Sequence, residues 1–243
     1  MAEKILIASG KGGVGKSTVA SFLGMQAAKK GKKVLLIDAD TGLGALDILL
    51  GVSDSVMNTW LDVATGNCDV QRAFVSVADS LTLLPSPACY PDDLPADTMA
   101  VLTEKCEDEF DLILIDASAG IDNNLQMCAK ACDRAVFVAT ADEVSVRCAA
   151  AAARETEKWG ISSDDMRLVI NRFAKKAAFR SRLLNVDGVI DKSGVMLLGI
   201  LPEDKKIPFM SVTNRTPDSK SPFLKAMNRI LGRINGENIA LKI

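Results

Sequence analysis

The chain has 243 residues, of which 48% are hydrophobic and 25% are charged, and it contains no histidine. This composition is that of an ordinary globular protein rather than a disordered one. The lack of histidine excludes Ser-His-Asp hydrolysis and every metal site that depends on imidazole ligands. No apolar run approaches the ~20 residues that span a bilayer, and the first residues show no cleavable signal pattern. We therefore expect a cytoplasmic protein whose residues 1–243 form a single domain.

Short apolar runs alternate with helix-length amphipathic segments along the whole chain. Several runs are apolar at nearly every position, which is typical of strands in a parallel sheet covered on both faces. The alternation predicts an α/β fold, a single doubly wound domain with a mostly parallel sheet flanked by helices. The predicted strands are Lys4–Ala8, Lys33–Asp38, Leu81–Leu84, Asp111–Asp116, Arg134–Thr140, Arg167–Asn171 and Val195–Leu201.

A glycine-rich loop follows the first predicted strand and satisfies the pattern G-x-x-x-x-G-K-[ST]. Its glycines allow backbone N–H groups to surround phosphate oxygens, and the following helix directs its positive end at the same anion. We expect Lys16 to neutralise the β- and γ-phosphates and the Ser17 hydroxyl to bind Mg²⁺. The predicted phosphate loop consists of Gly10, Lys11, Gly12, Gly13, Val14, Gly15, Lys16, Ser17 and Thr18.

Lys11 is a second lysine inside this loop. It is poorly placed to bind its own γ-phosphate, because Lys16 already occupies that approach. Two interpretations stay open on spacing alone. Lys11 is either a solvated loop lysine, or it reaches a nucleotide held by a second copy of the protein, as an arginine finger does in trans.

Residues 11–18, K-G-G-V-G-K-S-T, resemble the deviant Walker A motif of the MinD/ParA family of ATPases, and the chain is most similar to its MinD branch, the septum site-determining proteins. The resemblance continues through residues 37–47 (switch I), 111–121 (Walker B strand and switch II) and 143–147. It implies a switch that hydrolyses ATP to ADP and phosphate in the spatial regulation of cell division. ATP and Mg²⁺ are then the cofactors, Lys11 is the signature lysine of an ATP-dependent homodimer, and a protein partner or ATPase activator is expected.

Three aspartates lie at or just after the ends of predicted strands, at the edge where open α/β sheets bind ligands. Asp116 can hold Mg²⁺ through water, as Walker B carboxylates do. The resemblance implies that Asp40 positions the attacking water and that Asp38 supports the magnesium shell, with turn capping as the alternative for both. The loops at 40–47 and 116–122 are then expected to sense the γ-phosphate.

The segment 171–174, N-R-F-A, indicates adenine rather than guanine. GTPases usually read guanine with Asn-Lys-x-Asp, and Ala174 stands where that aspartate would be. The Asn171 amide can hydrogen-bond an adenine edge while Pro202 packs on the ring, in a segment that resembles the family's nucleotide-base loop. The predicted adenine contacts are Asn171, Arg172, Pro202, Glu203 and Asp204.

Charge is unevenly distributed along the chain. From Asn171 onward there are 14 Lys and Arg against 6 Asp and Glu, whereas the preceding residues hold 15 against 25. The pattern near Ser221–Ile234 predicts a core helix, and the nine residues after it are too few for a stable interfacial helix. The basic charge from Asn171 onward nevertheless leaves an anionic membrane or DNA open as a partner. Peripheral attachment to the inner face of the cell membrane in the ATP state stays open for the same reason.

Other functions on the same loop remain as alternatives. A ParA-like ATPase that positions DNA would use the basic run Arg172–Arg182, and an FlhG-like ATPase would act in flagellar placement. An iron–sulfur carrier is disfavoured because the six cysteines include no C-x-x-C pair. We expect these cysteines to be reduced, small apolar side chains, with Cys128 and Cys132 on one face of a helix. A tyrosine kinase is disfavoured because Tyr90 is the single tyrosine.

Overall fold

The apolar runs form one eight-stranded sheet in the computed structural model, which describes residues 1–41, 44–89, 91, 94–174, 184–207 and 220–242. Within this part of the chain the strand order is β3-β4-β2-β5-β1-β6-β7-β8. All neighbouring pairs are parallel except β3 with β4. The strands are β1 (Glu3–Ser9), β2 (Val34–Asp38), β3 (Val75–Ala78), β4 (Leu81–Leu84), β5 (Leu112–Ala119), β6 (Arg134–Thr140), β7 (Met166–Phe173) and β8 (Leu197–Pro202).

The central strand β1 lies between β5 and β6, so the loop that follows it opens at the middle of the sheet edge. In the ladder between β2 and β5, Asp38 lies opposite Asp116. The carboxyl ends of the parallel strands β1, β2 and β5 therefore bring the phosphate loop and the aspartates to one place, as the sequence predicts.

The edge strand β3 was missed by the sequence analysis. Its four residues, V-S-V-A, are only partly apolar, and only Val75 is fully buried. It pairs antiparallel with β4 through the tight turn at 79–80. A half-exposed edge strand of this length carries too little periodicity to be distinguished from a loop.

Helices cover both faces of the sheet. One apolar layer contains side chains of α1, α2 and α9, and the other contains side chains of α3 to α8. The predicted doubly wound α/β fold is thus observed. The helices of the described residues are α1 (Lys16–Lys29), α2 (Leu46–Leu50), α3 (Trp60–Ala64), α4 (Val70–Ala73), α5 (Thr98–Glu104), α6 (Asn123–Lys130), α7 (Glu143–Lys158), α8 (Val186–Ser193) and α9 (Pro222–Ile234).

The last helix belongs to the core, as predicted. Phe223, Met227 and Ile230 of α9 are almost completely buried, and Phe223 meets Phe22 of α1 edge to face at 5.2 Å between ring centroids. The segment after α9 is held against it by Arg233, whose guanidinium donates hydrogen bonds to the carbonyls of Ile239 and Ala240. No helix of the described residues is long and apolar enough to cross a membrane.

The cysteines behave largely as expected. Cys106 and Cys128 are buried in an apolar layer, and burial raises the pKa of the Cys106 thiol to about 12. No group of three or more Cys, Asp or Glu side chains suited to a metal ion occurs in the described ranges. The predicted shared helix face of Cys128 and Cys132 is wrong, because α6 ends at Lys130 and Cys132 lies beyond it.

Candidate nucleotide site

The glycine-rich loop joins β1 to α1 in the conformation that phosphate binding requires. Gly13 and Gly15 have φ angles of 76° and 92°, a region that side chains rarely adopt. Gly15 is the N-cap of α1, and no side chain caps this helix end. The first N–H groups of α1 and its positive dipole end are therefore available to an anion.

Lys16 and Asp116 form a buried ion pair at the centre of the site. Lys16 Nζ lies 2.8 Å from Asp116 Oδ1 and 3.5 Å from Asp40 Oδ2, and the side chains of Lys16 and Asp116 are 5% and 1% exposed. Burial alone lowers the pKa of Lys16, but Asp116, Asp40 and Asp38 outweigh it and hold the pKa above its usual value. Lys16 is thus a fixed cation that can exchange its carboxylate partners for phosphate.

The donor set at this edge fits a magnesium ion. Asp116 Oδ2 is buried and makes no hydrogen bond to any described residue. A buried carboxylate oxygen without a partner is costly, and a hard cation satisfies it. Ser17 Oγ lies 3.5 Å from Lys16 Nζ, beside the same carboxylate. Asp116 and Ser17 would therefore hold Mg²⁺, as the sequence predicts.

The Asp38 carboxylate accepts hydrogen bonds from the backbone of the loop that follows β2. Its two oxygens accept hydrogen bonds from the N–H groups of Asp40 and Leu46, each at 3.0 Å. Turn capping, one of the two predicted roles, is therefore observed. Burial and the nearby charge of Asp116 raise the pKa of Asp38 to about 7. The predicted support of a magnesium shell by Asp38 stays a prediction.

This raised pKa gives the unliganded protein a pH-dependent stability. A folded-state pKa of about 7 against 3.8 in the unfolded chain means that the folded protein binds the proton more tightly. Stability therefore falls as the pH rises toward and through 7, by roughly 1 kcal/mol between pH 6 and pH 8. Urea unfolding at both pH values measures this difference. The Asp38→Asn variant should lose it, and a wild-type stability that is equal at both pH values would contradict the assignment.

Lys11 is paired with an acid on another element. Its ammonium lies 3.3 Å from Asp142 Oδ1, and both side chains are partly exposed. Asp142 is the N-cap of α7, where it accepts hydrogen bonds from the Ser145 N–H and the Thr140 hydroxyl. Burial alone raises the pKa of Asp142, but these donors and Lys11 outweigh it and lower the pKa. Asp142 is thus a fixed anion that positions Lys11 at the rim of the site.

Comparison with known proteins settles the family. Residues 5–217 match the family described as CobQ/CobB/MinD/ParA nucleotide binding domain. The chain belongs to this family.

Relatives and solved structures agree with this membership. The septum site-determining protein MinD of Synechocystis sp. is 33% identical, over 95% of this chain and 96% of that protein. The MinC:MinD cell division protein complex of Aquifex aeolicus matches with a TM-score of 0.91 and 32% identity, over 100% of this chain and 99% of the matched chain. MinD of Pyrococcus horikoshii, complexed with Mg-ADP, has a TM-score of 0.85 and 23% identity, covers 97% and 96%, and shows the fold alone. The resemblance and fold class predicted from the sequence are confirmed, and the chain is an ATPase of the MinD/ParA family.

The residues predicted to contact adenine lie at the carboxyl ends of β7 and β8. Asn171 is buried, donates to the Val14 carbonyl at 2.8 Å, and accepts from the Arg172 N–H at 2.9 Å. The hydrogen bond from the Arg172 N–H occurs where the backbone of Arg172 is in the left-handed region, with φ 53°. Asn171 therefore fastens the phosphate loop to β7, a role that the sequence analysis did not assign to it.

The other predicted adenine contacts lie at the end of β8. Pro202 pairs with Phe173 across the ladder, and the Glu203 N–H donates to the Phe173 carbonyl. Asp204 accepts from the Lys206 N–H and from the Ser221 hydroxyl. The contacts of all these residues with adenine stay a prediction.

Parts of three sequence predictions lie outside the described residues. These are Gly42 and Leu43 of the predicted switch I, Tyr90, and residues 175–182 of the basic run Arg172–Arg182.

Gly10 is required by a close approach of α7 to the phosphate loop. A Cβ at Gly10 would lie 2.2 Å from the backbone oxygen of Cys148. We expect Gly10→Ala to push the loop off α7 and to lower the free energy of unfolding by about 1–3 kcal/mol. Urea unfolding of the unliganded protein measures the loss.

Gly12→Ala is the matched control, because its Cβ would meet only an ordinary contact at 3.9 Å. It should change the unliganded stability by no more than about 0.5 kcal/mol. Equal stabilities of the two variants would mean that the approach of Cys148 does not constrain Gly10.

Proposed function

We propose that the chain is an ATP-operated dimerisation switch that acts in placing the division site. The observation that carries this proposal is the position of Lys11. Lys16 already faces Asp116 and Asp40 within its own site, whereas Lys11 is held at the rim by Asp142. A cation at the rim is suited to complete a site on a second copy of the chain, as a finger supplied in trans does.

The relatives support the same process. Proteins 30–35% identical to the chain are named septum site-determining protein MinD or putative septum site-determining protein MinD. In the Aquifex aeolicus structure MinD is in complex with MinC, and we propose a protein partner of this kind for the chain. The Pyrococcus horikoshii relative is complexed with Mg-ADP, which supports ATP and Mg²⁺ as the cofactors here.

Each of the residues at the site has a separate role in hydrolysis. The N–H groups of the phosphate loop and Lys16 bind and orient the phosphates, and Ser17 and Asp116 hold the metal ion. Mg²⁺, when bound, supplies positive charge for the transferred phosphoryl group. Asp40, which is 24% exposed beside Lys16, orients the attacking water. Lys11 leaves Asp142, and its positive charge stabilises the transition state of hydrolysis in the site of the second copy.

Dependence on protein concentration tests this proposal. If a second copy completes the site, the rate of hydrolysis per subunit rises with protein concentration and then levels off as dimers fill. The Lys158→Ala variant, changed at an exposed lysine on α7, should follow the wild-type curve. A rate per subunit that is constant over a hundredfold range of concentration, with the mass of a monomer throughout, would contradict the proposal.

For localisation we propose a cytoplasmic protein that attaches to an anionic membrane surface in the ATP state. Lys29 and Lys30 at the end of α1 and Lys225 on the adjoining α9 are exposed cations that support it. ATP-dependent, salt-sensitive sedimentation with vesicles of anionic lipid is the expected result. Retention on non-specific DNA, with no sedimentation with vesicles, would favour the DNA-positioning alternative instead.

A further inference from the structure

Asn124, a residue that the sequence analysis did not single out, lies between the loop after β2, which bears Asp40, and the end of β5, which follows Asp116. It is the second residue of α6 and is 2% exposed. Its amide nitrogen donates to the Ala39 carbonyl at 2.8 Å, immediately before Asp40. Its amide oxygen accepts from the Ser118 N–H at 3.0 Å, two residues after Asp116. One carboxamide therefore fixes the loop after β2 and the end of β5 to the same helix.

Direct backbone hydrogen bonds between β2 and β5 end before the two backbone groups that Asn124 joins. The ladder between β2 and β5 ends at the pair Asp38 and Asp116, and the Ala39 N–H adds one more bond to the Asp116 carbonyl at 2.9 Å. Beyond that point, Lys16 links the carboxylates of Asp40 and Asp116, whereas in the described residues Asn124 links the backbone at Ala39 to the backbone at Ser118. A shift of either loop relative to α6 must lengthen one of its two bonds.

The chemistry of the bridge is specific to a carboxamide. It needs a donor toward a carbonyl and an acceptor toward an N–H on one short side chain, which asparagine provides. The Ser118 hydroxyl donates to the same amide oxygen, also at 3.0 Å, and so adds a side-chain bond to the backbone bond at that end. Losing the amide leaves the buried Ala39 carbonyl and the partly buried Ser118 N–H without this partner, which favours the joined arrangement.

We propose that Asn124 is a positioning residue that couples the loop bearing Asp40 to the end of β5 and the turn after it, so that the two segments respond to the γ-phosphate together. Asn124 does not touch the reacting atoms. It sets the position of Asp40 through Ala39 and the position of the chain after Asp116 through Ser118. This inference rests on the proposed switch in one respect, namely that the loops change with the nucleotide.

Two substitutions separate the two bonds. Asn124→Leu keeps the approximate volume and removes both bonds. Asn124→Asp keeps the acceptor for the Ser118 N–H and replaces the donor toward Ala39 by an oxygen, so it is informative even if the leucine variant folds poorly. Cys128→Ala is the matched control, because Cys128 lies one turn further along α6, is equally buried, and contacts the same amide oxygen only through a thiol at 3.8 Å.

The first readout is kinetic. We expect both Asn124 variants to bind Mg-ATP within about threefold of wild type, because the phosphate loop is untouched, and to lose about 10- to 100-fold in kcat. Cys128→Ala should keep both constants. An equal loss of affinity and kcat would indicate a collapsed site rather than a mispositioned one, and would overturn the proposal.

The second readout is hydrogen exchange at residues 39–41 and 117–121 with Mg-ADP and with Mg-adenylyl imidodiphosphate. In wild type both segments should change protection between the nucleotides. In Asn124→Asp the segment 39–41 should lose its response while 117–121 keeps it, and in Asn124→Leu the two should no longer change together. Wild-type responses retained at both segments in both variants would overturn the role of Asn124. The lack of any response in wild type would instead count against the proposed switch.

Discussion

Lys16→Ala is expected to abolish measurable ATP hydrolysis and to lower the free energy of unfolding of the unliganded protein by about 3–5 kcal/mol. The substitution removes the cation 2.8 Å from Asp116 and leaves that carboxylate buried without a counter-charge. It also removes the charge that faces the β- and γ-phosphates, which costs at least about 10²-fold in kcat. Steady-state hydrolysis and urea unfolding measure the two effects.

The pH dependence of this variant identifies the cause of its instability. Burial already raises the pKa of Asp116, and losing Lys16 raises it further. A raised pKa of Asp116 lowers the free energy of unfolding at pH values above that pKa. The difference in free energy of unfolding between Lys16→Ala and wild type should therefore shrink as the pH falls from 8 to 5. Lys158→Ala, which breaks an exposed pair with Glu155, should cost no more than about 0.5 kcal/mol at any pH. A Lys16→Ala protein as stable as wild type at pH 8 would contradict the buried-pair interpretation.

Lys11→Ala is expected to abolish ATP-dependent dimerisation and to reduce hydrolysis by about 10³-fold, the scale of a finger supplied in trans. Its affinity for Mg-ATP as a monomer should stay within about threefold of wild type, because Lys11 contacts Asp142 rather than the groups around Lys16. Light scattering, hydrolysis and nucleotide titration on one preparation give all three quantities. The unliganded stability should change by no more than about 1 kcal/mol, since the pair is partly exposed.

Asp142→Asn is the matched control for Lys11. It removes the anion at the rim but keeps the lysine, so dimerisation with ATP should survive and should need less ATP than in wild type. If Lys11→Ala left both dimerisation and hydrolysis unchanged, Lys11 would be a solvated loop lysine, the alternative that the sequence left open.

Local patterns predicted much of this molecule. The phosphate loop was found because its residues are contiguous and follow a strand, and seven strands were found because each is a run of apolar residues. Asp38 and Asp116 were placed together because the carboxyl ends of parallel strands share one edge.

Contacts between distant segments were not accessible in the same way. Lys11 and Asp142 are 131 residues apart, and Asn124 and Ala39 are 85 apart. No local pattern shows which buried amide will face which loop. Gly44 shows the same limit, because a Cβ there would lie 2.1 Å from the Ser86 hydroxyl oxygen, a neighbour that only the fold provides.

The most direct test of the switch is the mass of the protein with each nucleotide, measured by light scattering after size exclusion. The Asp40→Ala variant is used to block hydrolysis during the run. We predict the 25.9 kDa monomer with Mg-ADP and a dimer of twice that mass with Mg-ATP. A monomer with both nucleotides, or a dimer with both, would contradict ATP-driven pairing through Lys11.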